Sequence, residues 1–289
     1  MVTVSMKRLC VLFLAIIALS CWFPVIVIGD SVDVVSNIGS VLCDGRLCVD
    51  TSGMSDGYVH VWLSDMRDCR ERLTVLYNNG DEILNYWLYQ DNDYDVIPLQ
   101  FGSGDYCFKV FRWNNNSGFK SRSFETLCVS LSVTLTDERA SWLVPNQYIN
   151  YTEDMDAYVF GNELCDGLIT DRDKYDAIEN YISQFYSYDE DKAREIMVSN
   201  RGFGSDIIYP DIEGCYSKHK GICQDLSALM ICLLRSQNIH SVMDVGWMND
   251  QYHAWVRIFL DGEEFIFDPT VAVNGLQQDF GSYKLERFY

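Results

Sequence analysis

Between Gly57 and Val133 hydrophobic and polar positions alternate in short runs: Y-V-H-V-W-L, R-L-T-V-L-Y, I-L-N-Y-W-L-Y, Y-C-F-K-V-F-R-W and F-E-T-L-C-V-S-L-S-V. A period of two predicts strands with one buried face, and the intervening N-N-G-D, D-N-D-Y-D, G-S-G-D and N-N-N-S-G are turn clusters. The expectation is an antiparallel β-sandwich over residues 57–136. A charged step, T-D-E-R-A at 136–140, precedes a change of period. Tyr175, Ile178, Ile182 and Phe185 recur at three and four residues, as do Leu226, Leu229, Met230 and Leu233, which predicts two helices with one apolar face each. Strand-like runs S-V-M-D-V-G-W-M, Y-H-A-W-V-R-I-F-L and E-E-F-I-F-D-P-T follow, the last two joined by D-G, a hairpin turn signal. Residues 137–289 therefore read as an α+β domain of helices packed on an antiparallel sheet.

The 289 residues are 48% hydrophobic, enough for two domains with cores of their own. The N-terminus places Lys7 and Arg8 before an apolar run that ends at Pro24, the order of a secretory signal, with V-I-G-D offering cleavage after Gly29. Leu9 to Ile28 is also just long enough to span a bilayer, so residues 1–29 are read as a signal peptide or an N-terminal anchor. Removing them, with two cations and no acid, takes the formal charge from −20 to −22. A field of that sign repels phosphate backbones and anionic lipid, so neither nucleic acid nor a membrane surface, beyond such an anchor, is an expected partner. The protein is expected to be secreted or held at the cell surface.

Export lets cysteines pair, and nine of the eleven remain after residue 29. Cys43 and Cys48 flank the turn D-G-R-L, a hairpin staple within a lead-in segment over 30–56, and Cys107 and Cys128 lie on two strand-like runs that a bridge could join. With Cys223 set aside, eight others remain that could in principle pair, although Cys232 lies inside the helix that Cys223 opens.

Cys223 stands in G-I-C-Q-D-L-S-A-L-M, between a glycine and the first turn of that helix. The free backbone N–H groups and dipole of a helix N-terminus favour a thiolate, and the N–H of Cys223 itself could hold an oxyanion. A base is needed, and His253, one of only four histidines, lies on Y-H-A-W-V. Asp268, in F-D-P-T across the D-G hairpin, would orient it. An ideal turn at Asp261 and Gly262 pairs His253 with residue 270, so a slip of two or a bulge is expected to bring Asp268 opposite.

In this order and spacing, G-I-C-Q-D-L-S-A-L, Y-H-A-W-V and F-D-P-T resemble the three motifs of the transglutaminase-like superfamily. W-L-V-P-N-Q-Y-I-N-Y, I-I-Y-P-D and L-L-R-S-Q-N-I resemble words of its secreted bacterial members with an N-terminal β domain. The resemblance covers about residues 140–289. It implies a papain-like fold with Cys223 as nucleophile, His253 as base and Asp268 as orienting carboxylate. Two departures stand out: E-E-F-I-F replaces a tryptophan-bearing run before D-P-T, and Ser217 falls where papain-type proteases carry a side-chain oxyanion donor. Tyr188 and Tyr209 are candidates for that second donor.

The implied activity is acyl transfer on protein or peptide amides, to water as a peptidase or amidase, or to an amine as a cross-linking transferase. Nothing in the chain resembles a calcium-binding insert or activation segment, which inclines the reading to hydrolysis. The competing reading is a catalytically silent surface-binding module. Cys215, His219 and Cys223 are spaced C-x3-H-x3-C, and His253 would complete a zinc set, but the spacing is looser than zinc pairs and straddles the glycine loop. No metal or cofactor is expected. Asp225 reads as a first-turn acid that complements the helix dipole, and Trp255 as a shield of the site or as core.

Overall fold

The computed structural model describes residues 39–66, 70–114, 123–199 and 208–289, so the expected signal or anchor and Cys69 lie outside the described residues. The chain divides into two units, with the break after Asn146. Among the described residues no helix is long and apolar enough to cross a membrane.

The first unit is two four-stranded antiparallel sheets. One runs β1 (Val41–Asp44), β2 (Leu47–Asp50), β3 (Tyr58–Leu63), β6 (Asp95–Pro98), and the other β5 (Glu82–Tyr89), β4 (Arg70–Tyr77), β7 (Gly104–Asn114), β8 (Ser123–Val133). The alternation does what its period predicts: in β3, Val59, Val61 and Leu63 point inward while Tyr58, His60 and Trp62 are half exposed. The stapled segment expected as a lead-in is part of this fold, since β1 and β2 extend the sheet of β3. Cys43 and Cys48 face each other across that hairpin and are bonded; Cys107 and Cys128 are bonded diagonally between β7 and β8. Residues 137–146 also belong here rather than with the second unit. Glu138 accepts from the Ser103 N–H and Oγ, both at 2.6 Å, which ties the segment back to the start of β7.

In the second unit the elements run α1 (Asp156–Leu164), α2 (Asp171–Phe185), β9 (Ser187–Tyr188), α3 (Glu190–Ser199), α4 (Ile212–Lys218), β10 (Lys220–Gly221) and α5 (Cys223–Ser236). Then come β11 (Ser241–Met248), β12 (Gln251–Leu260), β13 (Glu263–Phe267), α6 (Pro269–Val273) and β14 (Tyr283–Phe288). The sheet order is β13-β12-β11-β14, all antiparallel, and a short parallel pair joins β9 to β10.

Two expectations about the helices change. α2 begins as its signals suggest, with the Thr170 hydroxyl accepting the Asp173 N–H, and buries Tyr175, Ile178 and Ile182. Phe185, however, is 60% exposed, because the helix ends there and Tyr186, four residues after Ile182, takes the buried place. α5 is not amphipathic: every residue from Asp225 to Arg235 is buried, because α1, α2 and α4 cover one side of it and β11 and β12 the other. It is the central helix of the unit, and its first residue is Cys223.

Among the described residues the remaining cysteines do not pair. Cys165, Cys215, Cys223 and Cys232 are all buried thiols, three of the four on helices. Burial pushes the thiols of Cys165, Cys215 and Cys232 upward, Cys232 to about 12, which makes them poor nucleophiles.

Candidate active site

Cys223 is the first residue of α5, and Ile222 before it is extended, so the chain enters the helix abruptly. Gly221 makes that entry possible: a Cβ there would stand 2.7 Å from the Cys215 Sγ and 2.8 Å from the Asp225 Cβ. Gly221 also pairs with Tyr188, which fixes the approach from the β9 side. Asp225 does more than complement a dipole. Its buried carboxylate accepts from the Ile222 N–H at 3.1 Å, the Asp211 N–H at 3.0 Å and Lys192 Nζ at 2.7 Å. It thereby ties α3 and the start of α4 to the residue before Cys223. Gln224 donates from Nε2 to the Ile208 carbonyl at 3.0 Å, holding a second strand of chain beside the helix start.

His253 lies on β12 and faces Gly246 of β11. Its Nε2 is 2.6 Å from Asp268 Oδ2, and the Cys223 sulfur lies near enough to its ring to favour the charged imidazole. An ionised Asp268 only accepts, so Nε2 carries the proton and the other ring nitrogen is left for the thiol. The expected slip in the β12–β13 hairpin is absent. Val256 faces Phe267 and Leu260 faces Glu263, the ideal two-residue register, with Asp261 and Gly262 both at positive φ. Asp268 meets His253 for a different reason: β13 stops at Phe267, Pro269 starts α6, and Asp268 is the cap of that helix.

The Asp268 carboxylate is fully buried and accepts four hydrogen bonds. Oδ1 takes the N–H groups of Thr270 at 2.9 Å and Val271 at 3.1 Å; Oδ2 takes His253 and, at 2.7 Å, the Tyr283 hydroxyl from β14. Burial alone would push its carboxyl upward, but His253, the Tyr283 hydroxyl and the Val271 N–H together hold it below the ordinary carboxylate value. Burial likewise opposes charge on His253, but the carboxylate and the Cys223 sulfur outweigh it and raise the imidazole well above the ordinary histidine range. The imidazole thus sits between a buried carboxylate and the Cys223 sulfur, and both favour its charged form. Trp255 is buried as a lid on this arrangement, its ring 6.3 Å from that of His253 and 5.0 Å from that of Tyr283.

The other sequence candidates divide. Tyr188 packs against the buried cluster of Ala193, Ile196 and Ile222, next to the start of α5. Tyr209 donates to Gln147 Oε1 at 3.3 Å. Ser217 is exposed on α4 and donates to the Gly214 carbonyl. Of the residues weighed for zinc, Cys215 packs on Gly221, while His219 is exposed and bonded to the Tyr181 hydroxyl at 3.2 Å. Among the described residues no group of three His, Cys, Asp or Glu side chains is disposed to hold a metal ion. The sequence reading missed Tyr283 and the Lys192–Asp225 pair. The alternation in Y-K-L-E-R-F was the available signal for β14.

Residues 169–285, which contain all three residues, match the model of a family described as a transglutaminase-like domain. Over those residues the second unit is similar to a transglutaminase-like domain. Among solved structures, the chain is similar to a candidate cysteine protease from Cytophaga hutchinsonii, 16% identical over 72% of this chain and 76% of that one, with a TM-score of 0.37. It is similar to the periplasmic domain of TgpA from Pseudomonas aeruginosa, 12% identical over 72% of this chain and 90% of that one, with a TM-score of 0.35. It is also similar to a TGase, 20% identical over 56% of this chain and 45% of that one, with a TM-score of 0.33. No curated protein matches the chain. Within the matched residues Cys223 opens the central helix, and His253 and Asp268 come from the sheet and its exit.

Proposed function

We propose that the transglutaminase-like domain is a cysteine-dependent acyl-transfer enzyme acting on protein or peptide amides outside the cytoplasm. The observation that carries this is the imidazole of His253, held by Asp268 at 2.6 Å and set beside the Cys223 sulfur at the start of α5. The Cys223 thiolate adds to the amide carbonyl, and the oxyanion forms beside the N–H groups that open α5. His253 gives its proton to the leaving amine, which departs as the acyl-enzyme thioester forms. Water, or a primary amine, then attacks the thioester; His253 takes the proton of that nucleophile, and Cys223 leaves again as the thiolate. Asp268 stays ionised throughout and holds the imidazole in the tautomer the cycle needs. Export is supported by the N-terminal pattern of residues 1–29 and by two disulfides in the β unit.

The test is mass spectrometry of cell-wall and surface peptides incubated with the full chain, with and without an added primary amine. Cleaved peptides are the expected outcome, and amine adducts would make the enzyme a transferase. A Cys223→Ala variant with full activity would sink the reading. Cys223 is only 7% exposed, and that burial favours the second reading of a silent binding module. It is tested by iodoacetamide: selective alkylation of Cys223 in the native protein supports the enzyme, and an inert Cys223 supports the module.

A further inference from the structure

In the sheet of the second unit, residues facing one another across antiparallel pairs share a face. On β12 the face of the site holds Gln251, His253 and Trp255, and across from them on β11 stand Met248, Gly246 and Asp244. β14 pairs with β11 in two registers. Arg287 faces Val245, but Leu285 faces Gly246, so Glu286 is an extra residue and the strand bulges there. The bulge shifts everything before it by one position, which turns each side chain to the other face. With the bulge, Tyr283 faces Met248 and lies on the face of His253; without it, Lys284 would hold that place and Tyr283 would point away. Gly246 makes room for the bulge, since a Cβ there would stand 2.1 Å from the Lys284 carbonyl oxygen and 2.9 Å from the Glu286 nitrogen.

From this position Tyr283 reaches Oδ2 of Asp268, the same oxygen that accepts His253 Nε2. We infer that Tyr283 is a positioning residue of the site: its hydroxyl fixes the Asp268 carboxylate and weakens that carboxylate's pull on the imidazole proton, and the β14 bulge over Gly246 exists to deliver it. For catalysis this rests on the acyl-transfer reading above; for His253 itself it rests on geometry alone. A carboxylate oxygen shared between two donors spreads its charge over both. Removing the hydroxyl leaves more of that charge on the imidazole, so the histidine holds its proton more tightly and returns it to the cycle less readily.

The experiment compares Tyr283→Phe with the unaltered residue in the full chain, by NMR titration of histidine-labelled protein carrying Cys223→Ala, with His253 assigned through its absence in His253→Gln. Phenylalanine keeps the ring against Trp255, so folding is expected to survive. The expected result is an upward move of the His253 midpoint by about half a unit to one unit, the scale of one hydrogen bond to an ionised group. With Cys223 intact, kcat is expected to fall about 5- to 20-fold while KM stays within about twofold, because Tyr283 touches Asp268 and not the substrate. An unmoved His253 titration overturns the inference, as does an unchanged kcat in an active enzyme. The titration needs no substrate, so a shifted His253 in a protein that turns over nothing would sustain the positioning role while sinking the acyl-transfer reading.

Discussion

Replacing Asp268 separates what the carboxylate does for stability from what it does for chemistry. In Asp268→Asn the amide oxygen must face the Thr270 and Val271 N–H groups, because only an acceptor satisfies two donors at 2.9 and 3.1 Å. The amide NH2 then points at His253 Nε2 and the Tyr283 hydroxyl, both of which donated to Asp268. The hydroxyl can rotate and accept. The imidazole can accept only by moving its proton to the other nitrogen, the one that faces Cys223. All four contacts are then remade without charge, and the expected loss of stability is about 1–2 kcal/mol. The base, however, now presents an N–H to the thiol, and activity is expected to fall about 10²- to 10⁴-fold, the scale of the same exchange in other triads. Asp268→Ala instead strips all four donors of their acceptor in a site closed to solvent, at about 1–3 kcal/mol each before water fills the gap, for a net cost of about 3–5 kcal/mol. Urea denaturation gives the stabilities, and the rate of Cys223 alkylation at neutral pH gives a readout that needs no substrate. An Asn variant that is alkylated and turns over within tenfold of the native protein, or an Ala variant no less stable than Asn, would refute the reasoning.

Three further outcomes are expected. Stability should depend on pH with a defined sign: Asp268 is held low in the folded protein, so its contribution is complete above the ordinary carboxylate value near 4 and is lost as pH falls through the depressed one. His253 is held high, so its contribution is complete below about pH 6.5 and is lost as pH rises through the raised value; the decline of Tm above about pH 6.5 should therefore be less steep in His253→Gln. Gly246→Ala should cost about 1–3 kcal/mol in denaturant titration, because its Cβ overlaps the Lys284 carbonyl, and should also slow Cys223 alkylation by disturbing Tyr283. Lys192→Met leaves the buried Asp225 carboxylate with two backbone donors and no cation; a loss of about 1–3 kcal/mol by urea titration is expected, and no loss would mean that Lys192 is a surface residue only.

How much was legible follows from how far each feature reaches along the chain. The strands β3, β4, β5, β7 and β8 and the helices α2 and α5 each announce themselves within their own residues, by a period and a turn or cap. The elements that carry Cys223, His253 and Asp268 were legible for the same reason: each is local, a helix start, a strand interior and a strand exit before proline. What misled was an assumption about how they meet. The hairpin register is ideal, and it is the cap of α6 that turns Asp268 toward His253; the slip or bulge expected in the β12–β13 hairpin is absent, and a bulge lies instead in β14.

The supporting groups were illegible because they depend on pairings between distant segments. Asp225 is two residues from Cys223, yet its role is set by Lys192 and Asp211, brought to it by α3 and α4. Tyr283 is 30 residues from His253 in sequence, and its face is decided by one extra residue in β14 opposite a glycine in β11. A motif records the atoms that react, since each must be of one chemical kind. The groups that hold those atoms can be supplied by any element that passes close enough. Here His253 and Asp268 are held from one edge of the sheet by the α6 cap and from the other by a bulged strand, so a single hydroxyl on β14 carries the information that three motifs do not.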